Sequence, residues 1–175
     1  MDERTSQQLA ALGQVGEALE EAGIPYWLFG GWAVDFYAGS VTRAHDDVDL
    51  AVWFDELPRI AELLVKDGWR HAPHADEDGG TAYERGGVRL ELTYLVRADD
   101  GSIFTPLRNG NATWPQEAFA DDRGELHGVR ARLLAFAPLA AGKSWAREDP
   151  DDAAKDRADF LRLSRLETAR SDSSS

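Results

Sequence analysis

Asp47 and Asp49 stand two apart in the run His-Asp-Asp-Val-Asp-Leu-Ala-Val, residues 45–52. Acid alternates there with apolar residue, and on a strand successive side chains point to opposite faces. If Val48 and Leu50 turn into a core, Asp47 and Asp49 share the other face, with Cα atoms about 7 Å apart. Carboxylates at that spacing can converge on one or two hard cations, and Mg²⁺ fits because it takes carboxylate oxygens and keeps positions free for a substrate phosphate. Asp46 has the core-facing parity or lies just before the strand, which leaves it outside the pair. The same parity in Val88-Arg-Leu-Glu-Leu-Thr-Tyr-Leu turns Val88, Leu90 and Leu92 inward and Arg89, Glu91 and Thr93 outward. Glu91 is then a third acid able to join Asp47 and Asp49. Three close acids repel unless a cation neutralises them. The plainer reading has Glu91 facing solvent from a half-exposed sheet.

Gly30 and Gly31 lie upstream, between an apolar stretch and a helical pattern. Two glycines at a strand-to-helix junction let backbone N–H groups approach a ligand, and helix N-termini favour anions. A glycine pair alone is common in turns. A pair followed by an Asp-apolar-Asp-apolar strand sets a phosphate-facing turn beside a metal-binding edge.

These residues need elements to hold them. Leu9, Leu12, Val15 and Leu19 predict an amphipathic helix over 7–22, closed by Gly23. Residues 24–29 read as a buried strand, 32–39 as a short helix closed by Gly39, 48–54 as the acid-bearing strand and 56–69 as a helix using Ile60, Leu63 and Leu64. Shorter strands follow at 69–74, 81–85 and 88–96, with another at 127–136. Helices are expected over 138–145 and 151–169, the latter placing Ala158, Phe160 and Leu161 on one side with Leu163 and Leu166 nearby, and 171–175 as a solvated tail. The order predicts an α+β fold, a mixed sheet flanked by helices, in one domain over 1–170. Its core is 24–97, and 138–169 form C-terminal helices.

The chain has 175 residues, enough to bury a real core, and 43% hydrophobic and 29% charged residues fit an ordinary globular protein. It lacks cysteine, which excludes disulfides and thiolate metal sites. No apolar run approaches the roughly 18 residues of a membrane span. The polar N-terminus does not resemble a secretory signal, so no membrane partner and a cytoplasmic location are expected. A net charge of −13 argues against nucleic acid and favours small cationic substrates, with a merely solubilising surface as the alternative.

Gly30-Gly31 followed by Asp47-Val48-Asp49-Leu50 resembles the signature of the DNA polymerase β-like nucleotidyltransferase superfamily. The stretches GGWAVD and GSVTRAHDDVDL are similar, more narrowly, to aminoglycoside 2″-nucleotidyltransferases and their lincosamide-modifying relatives. The resemblance is dense over 24–54, looser through the Glu91 strand, and faint again in DDAAKDRADFLRL. It implies a polymerase β-like palm fold and transfer of a nucleoside monophosphate, most often AMP from ATP, to a hydroxyl, releasing pyrophosphate. Asp47 and Asp49 would then hold two Mg²⁺ ions. Glu91 would take the place of a third carboxylate that is usually Asp in the family, as metal ligand, general base or both. Ser40, Thr42, Arg43 and His45, on the approach to the acids, would help bind the triphosphate.

Other residues divide between chemistry and packing. Asp35 either faces substrate or only favours its helix N-terminus. Trp32 is expected in the core. His71, His74 and His127 show no zinc-ligand spacing. The turn HADEDGG lacks an EF-hand pattern and is expected to be an acidic loop able to attract an amine. Lys143 and Lys155 could neutralise triphosphate charge, against the default of solvated helix lysines. Arg157 and Asp159 are expected on the exposed side of the last helix. Three functions follow: nucleotidyl transfer to a small hydroxyl compound, the same transfer to a protein target as in toxin–antitoxin relatives, or a non-catalytic nucleotide-binding module.

Overall fold

The computed structural model describes residues 1–143 and 149–174. Helix α1 (Glu3–Glu21) begins at Asp2, whose carboxylate accepts the Thr5 N–H at 2.7 Å. Its stripe of Leu9, Leu12, Val15 and Leu19 is buried. Strand β1 (Tyr26–Phe29) leads directly into α2 (Gly30–Ala38), so the glycine pair forms the first turn of the helix rather than a break before it. Gly39 ends α2 in the left-handed conformation, φ 68°. Strand β2 (Val48–Trp53), helix α3 (Leu57–Lys66) and strands β3 (Arg70–His71), β4 (Gly80–Arg85) and β5 (Val88–Arg97) complete the expected core, β3 being shorter than the predicted 69–74.

The mixed sheet runs β1-β2-β5-β4-β3. β2 lies parallel to β5 and antiparallel to β1, and the remaining pairings are antiparallel. Val48, Leu50, Val88, Leu90 and Leu92 are each at most 3% exposed, so the inward set inferred from alternation is the inward set observed. Val48 pairs with Leu90 and Asp49 with Glu91, which puts the acids of both strands on one face.

Beyond residue 97 the structure departs from expectation. A hairpin of β6 (Ile103–Leu107) and β7 (Gly110–Trp114) extends the sheet from β5, where no strand was predicted. The strand predicted over 127–136 is instead the return arm of a separate hairpin, β8 (Arg123–Leu126) and β9 (Val129–Arg132), turning at His127-Gly128. Helix α4 (Phe136–Lys143) matches most of the predicted 138–145; residues 144 and 145 lie outside the described residues. Helix α5 (Pro150–Ser173) is capped by Asp149 and continues into residues expected to be a tail.

α5 also turns a different face inward. Asp156, Asp159 and Leu163 are buried, whereas Phe160 and Leu161 are 37% and 51% exposed and Ala158 is exposed. Of the predicted apolar set, Leu163 and Leu166 pack on the core while Ala158, Phe160 and Leu161 face outward, because Asp156 and Asp159 take the inner positions against Arg43 and Lys143. Among the described residues no helix is long and apolar enough to cross a membrane.

Candidate active site

The loop of residues 39–47 carries the acids from α2 to the sheet, and a buried carboxylate folds it. Asp35, on α2, is fully buried. Its Oδ1 accepts the Thr42 N–H at 3.1 Å and the Thr42 hydroxyl, and its Oδ2 lies 2.6 Å from His45 Nε2. His45 packs on Trp32, ring centroids 4.6 Å apart, and its carbonyl accepts from Gln8 at 3.1 Å. Asp35 is thus a brace for the loop, a role outside the two expected for it, and Trp32 is core.

Gly30 and Gly31 have separate steric duties. Gly30 has φ 69°, a left-handed conformation, and a Cβ there would overlap Asp49 Oδ2. At Gly31 a Cβ would overlap Arg43 Nη2 and lie 2.6 Å from His45 Nδ1. The missing side chains therefore let Asp49, Arg43 and His45 close around the start of α2.

A cleft of about 360 Å³ opens there, lined by Gly30, Gly31, Arg43, His45, Asp47 and Asp49 together with Lys143 and Asp156 from the C-terminal helices. Arg43 forks onto buried Asp159, with Nη2 to Oδ2 at 3.0 Å. Lys143 reaches Asp156 at 2.8 Å and Asp159 at 3.1 Å. Asp159 is thus 1% exposed inside an ionic network and does not decorate the surface; Arg157 is exposed as expected. Lys155 pairs with Asp46 at 2.8 Å, and both line the cleft. Their hydrogen bond and mutual charge hold the Asp46 carboxyl below its ordinary range. Ser40 is exposed and lines neither this cleft nor the next, and the Thr42 hydroxyl is directed to Asp35. Of the side chains expected at a triphosphate, the structure brings Arg43, His45 and Lys143 together and leaves Ser40 and Thr42 aside.

Asp47 and Asp49 also line a second cleft, of about 640 Å³, on their other side. Glu91 and the turn residues Asp76, Glu77 and Asp78 face it, and no lysine or arginine is among its described lining residues. Trp114 borders both clefts. It was invisible to sequence reading because β7, which carries it, was not predicted.

The acids are under electrostatic load. Burial pushes the Asp47 carboxyl above its ordinary value, and Glu91 and Asp46 push it further. A divalent cation between Asp47 and Asp49 would relieve that load, so the pair fits a metal of the kind that takes carboxylate oxygens. Glu91 is held differently: its Oε1 accepts from Arg89 Nε and lies 3.0 Å from His74 Nε2. Among the described residues no three His, Cys, Asp or Glu side chains come close enough to enclose a metal ion. Glu91 thus stands on the same cleft as Asp47 and Asp49, tethered by Arg89 and His74.

A family model described as aminoglycoside-2″-adenylyltransferase matches residues 11–163, which span the sheet, both clefts and most of α5. The chain belongs to this family. Within aminoglycoside-2″-adenylyltransferases and their relatives, a 2″-aminoglycoside nucleotidyltransferase of Klebsiella pneumoniae is 46% identical over 60 residues, 33% of this chain and 34% of that protein. One of Escherichia coli is 40% identical over the same length. These matches span about a third of the length of the curated relatives.

Solved structures extend the likeness to the whole fold. A crystal structure of ANT(2″)-Ia in complex with adenylyl-2″-tobramycin superimposes with TM-score 0.70 at 22% identity, covering 94% of this chain and 95% of that one. A lincomycin-bound lincosamide antibiotic adenylyltransferase, LnuA, gives TM-score 0.67 at 20% identity, covering 86% and 92%. The α+β architecture of this chain is that of these nucleotidyltransferases.

Proposed function

We propose that this protein transfers AMP from ATP, with Mg²⁺, to a hydroxyl of a small amine-bearing molecule of the aminoglycoside class. The observation that carries the reading is the position of Asp47 and Asp49 on the wall shared by two acid-bearing clefts, of which only the first also carries lysine and arginine among its described lining residues. The cleft with Arg43, Lys143, Lys155 and the start of α2 suits the phosphates of a nucleotide. The acid-lined cleft suits a polyamine, and the charge of −13 draws cations to the molecule. A hydroxyl on an acceptor in that cleft would meet the nucleotide at the acid pair.

Asp47 and Asp49 would hold the metal, which when bound neutralises phosphate charge and lowers the cost of in-line displacement. Arg43, His45 and Lys143 orient the triphosphate. Glu91 stands on the acceptor side as the group to take the hydroxyl proton. Its Oε1 is engaged by Arg89 and His74, which leaves Oε2 for that task. The family and the homologous stretch support the class of reaction, and the names of the relatives suggest aminoglycosides ahead of lincosamides.

The test is to incubate the protein with Mg²⁺, labelled ATP and a panel of aminoglycosides and lincosamides, then measure pyrophosphate release and product mass. An acceptor heavier by one AMP is expected with at least one aminoglycoside. Label on a protein with no small acceptor modified would replace this reading by protein nucleotidylation. ATP binding without any transfer would leave a nucleotide-binding module.

A further inference from the structure

Asp159 belongs to a helix far along the chain from the acid pair, yet it organises the cations beside it. Its Oδ1 accepts from Arg43 Nε at 3.3 Å and its Oδ2 from Arg43 Nη2 at 3.0 Å. The same Oδ2 lies 3.1 Å from Lys143 Nζ. Arg43 Nη2 and Lys143 Nζ are therefore within about 6 Å of each other, a separation at which like charges repel strongly unless a counter-ion lies between them. Burial works to raise the Asp159 carboxyl, and the two cations outweigh it and hold it below its ordinary range.

Cohesion alone does not account for this arrangement. A buried ion pair is weak grounds for stability, since apolar residues of similar volume often serve as well. These cations, moreover, line the cleft beside Gly30, Gly31 and Asp47. Arg43 has five N–H groups. Nε and one on Nη2 go to Asp159, and one on Nη1 goes to the Ala44 carbonyl at 3.1 Å. That leaves one N–H on each terminal nitrogen among the described residues. Lys143 keeps one of its three ammonium protons beyond Asp156 and Asp159.

We propose that Asp159 is a positioning residue for the phosphates of the nucleotide, holding Arg43 and Lys143 side by side so that their remaining N–H groups converge on neighbouring phosphate oxygens. The proposal rests on the reading of this cleft as the nucleotide site. Asp159 touches no phosphate itself; it makes two mutually repelling cations act together.

Asp159→Asn keeps the shape and removes the charge. Calorimetry with inorganic pyrophosphate as probe, together with steady-state pyrophosphate release, separates the roles. In the variant the pyrophosphate Kd and the KM for ATP are expected to rise about ten-fold, the scale of one charge-assisted contact. The acceptor KM is expected to stay within two-fold. A merely structural residue would lower the melting temperature and move both KM values together or neither. Pyrophosphate binding that is unchanged or tighter in the variant overturns the proposal. If Asp159→Asn does not fold, Asp159→Glu keeps the charge and displaces it by one methylene. The same ATP-selective rise is then expected, and an unchanged KM for ATP overturns the proposal. A wild-type protein that binds neither pyrophosphate nor ATP would remove the nucleotide site itself, and the proposal with it.

Discussion

Gly30→Ala and Gly39→Ala form a matched pair that isolates one contact at the acid pair. Both glycines begin or end α2 with nearly the same backbone, φ 69° and 68°. Alanine in that left-handed conformation costs about 1–2 kcal/mol in either place. For a domain of this size the cost corresponds to a fall of roughly 2–8 °C in melting temperature. The difference lies in what the new methyl meets. At Gly39 nothing lies within 4 Å, whereas at Gly30 the methyl overlaps Asp49 Oδ2 and lies 3.2 Å from Asp49 Cγ. Restoring ordinary van der Waals separation pushes the carboxylate back by about 1 Å. A displacement of that size at a group that positions reacting atoms costs about 10²-fold in rate. Both variants should therefore melt lower by similar amounts, while only Gly30→Ala should lose turnover, by about 10²-fold in kcat. Scanning fluorimetry and pyrophosphate release measure the two effects. Equal turnover in the two variants would refute the claim that Gly30 exists to seat Asp49.

The raised carboxyl of Asp47 predicts a pH-dependent stability. Between the ordinary carboxylate value and its own, the folded protein binds more protons than the unfolded chain, so Asp47 makes stability fall as pH rises through that window. Asp47→Asn should accordingly melt higher than wild type at pH 7 without metal, and the advantage should vanish on acidification below the ordinary value. Mg²⁺ should raise the melting temperature of wild type and not of Asp47→Asn, while turnover in the variant is lost. On the acceptor side, Asp76→Asn and Glu77→Gln should each raise the KM for a cationic acceptor about two- to five-fold, less at high salt, as expected for partly exposed charges. Their KM for ATP should not change, and an equal effect on both substrates would argue against an acceptor cleft.

Sequence reading reached the acid face because strand alternation fixes Asp49 once Val48 and Leu50 go inward, and Asp47, the residue just before β2, lines the same two clefts. It reached Glu91 by the same rule applied to a second strand. It missed the β6–β7 hairpin because IFTPLRNGNATW interrupts its apolar residues with proline, glycine and asparagine, leaving no clean alternation, and β7 pairs only along one edge. It misplaced the inner face of α5 for a different reason. Apolar residues usually mark the buried side of a helix, but here Asp156 and Asp159 are buried against Lys143 of the preceding helix and Arg43, far back in the sequence. Nothing local to α5 reveals those partners. The second role of Gly31, clearing space for Arg43 and His45, was hidden likewise, since the crowding atoms come from a loop whose course depends on Asp35.

The parallel pairing of β2 with β5 also bears on the order in which the molecule acquires its chemistry. β1 and β2 are antiparallel neighbours, and β4 and β5 form a hairpin, so each half of the sheet can assemble from nearby segments. Asp49 and Glu91 become opposite one another only when those halves dock, through contacts some forty residues apart in sequence. Closing so long a loop is entropically unfavourable and slow compared with hairpin formation. Nascent chains that have formed only the first half therefore carry the acid pair without its third member or its second cleft. The acid face is completed only when the two halves of the sheet meet, and the cationic side of the first cleft only when α4 and α5 pack against Arg43.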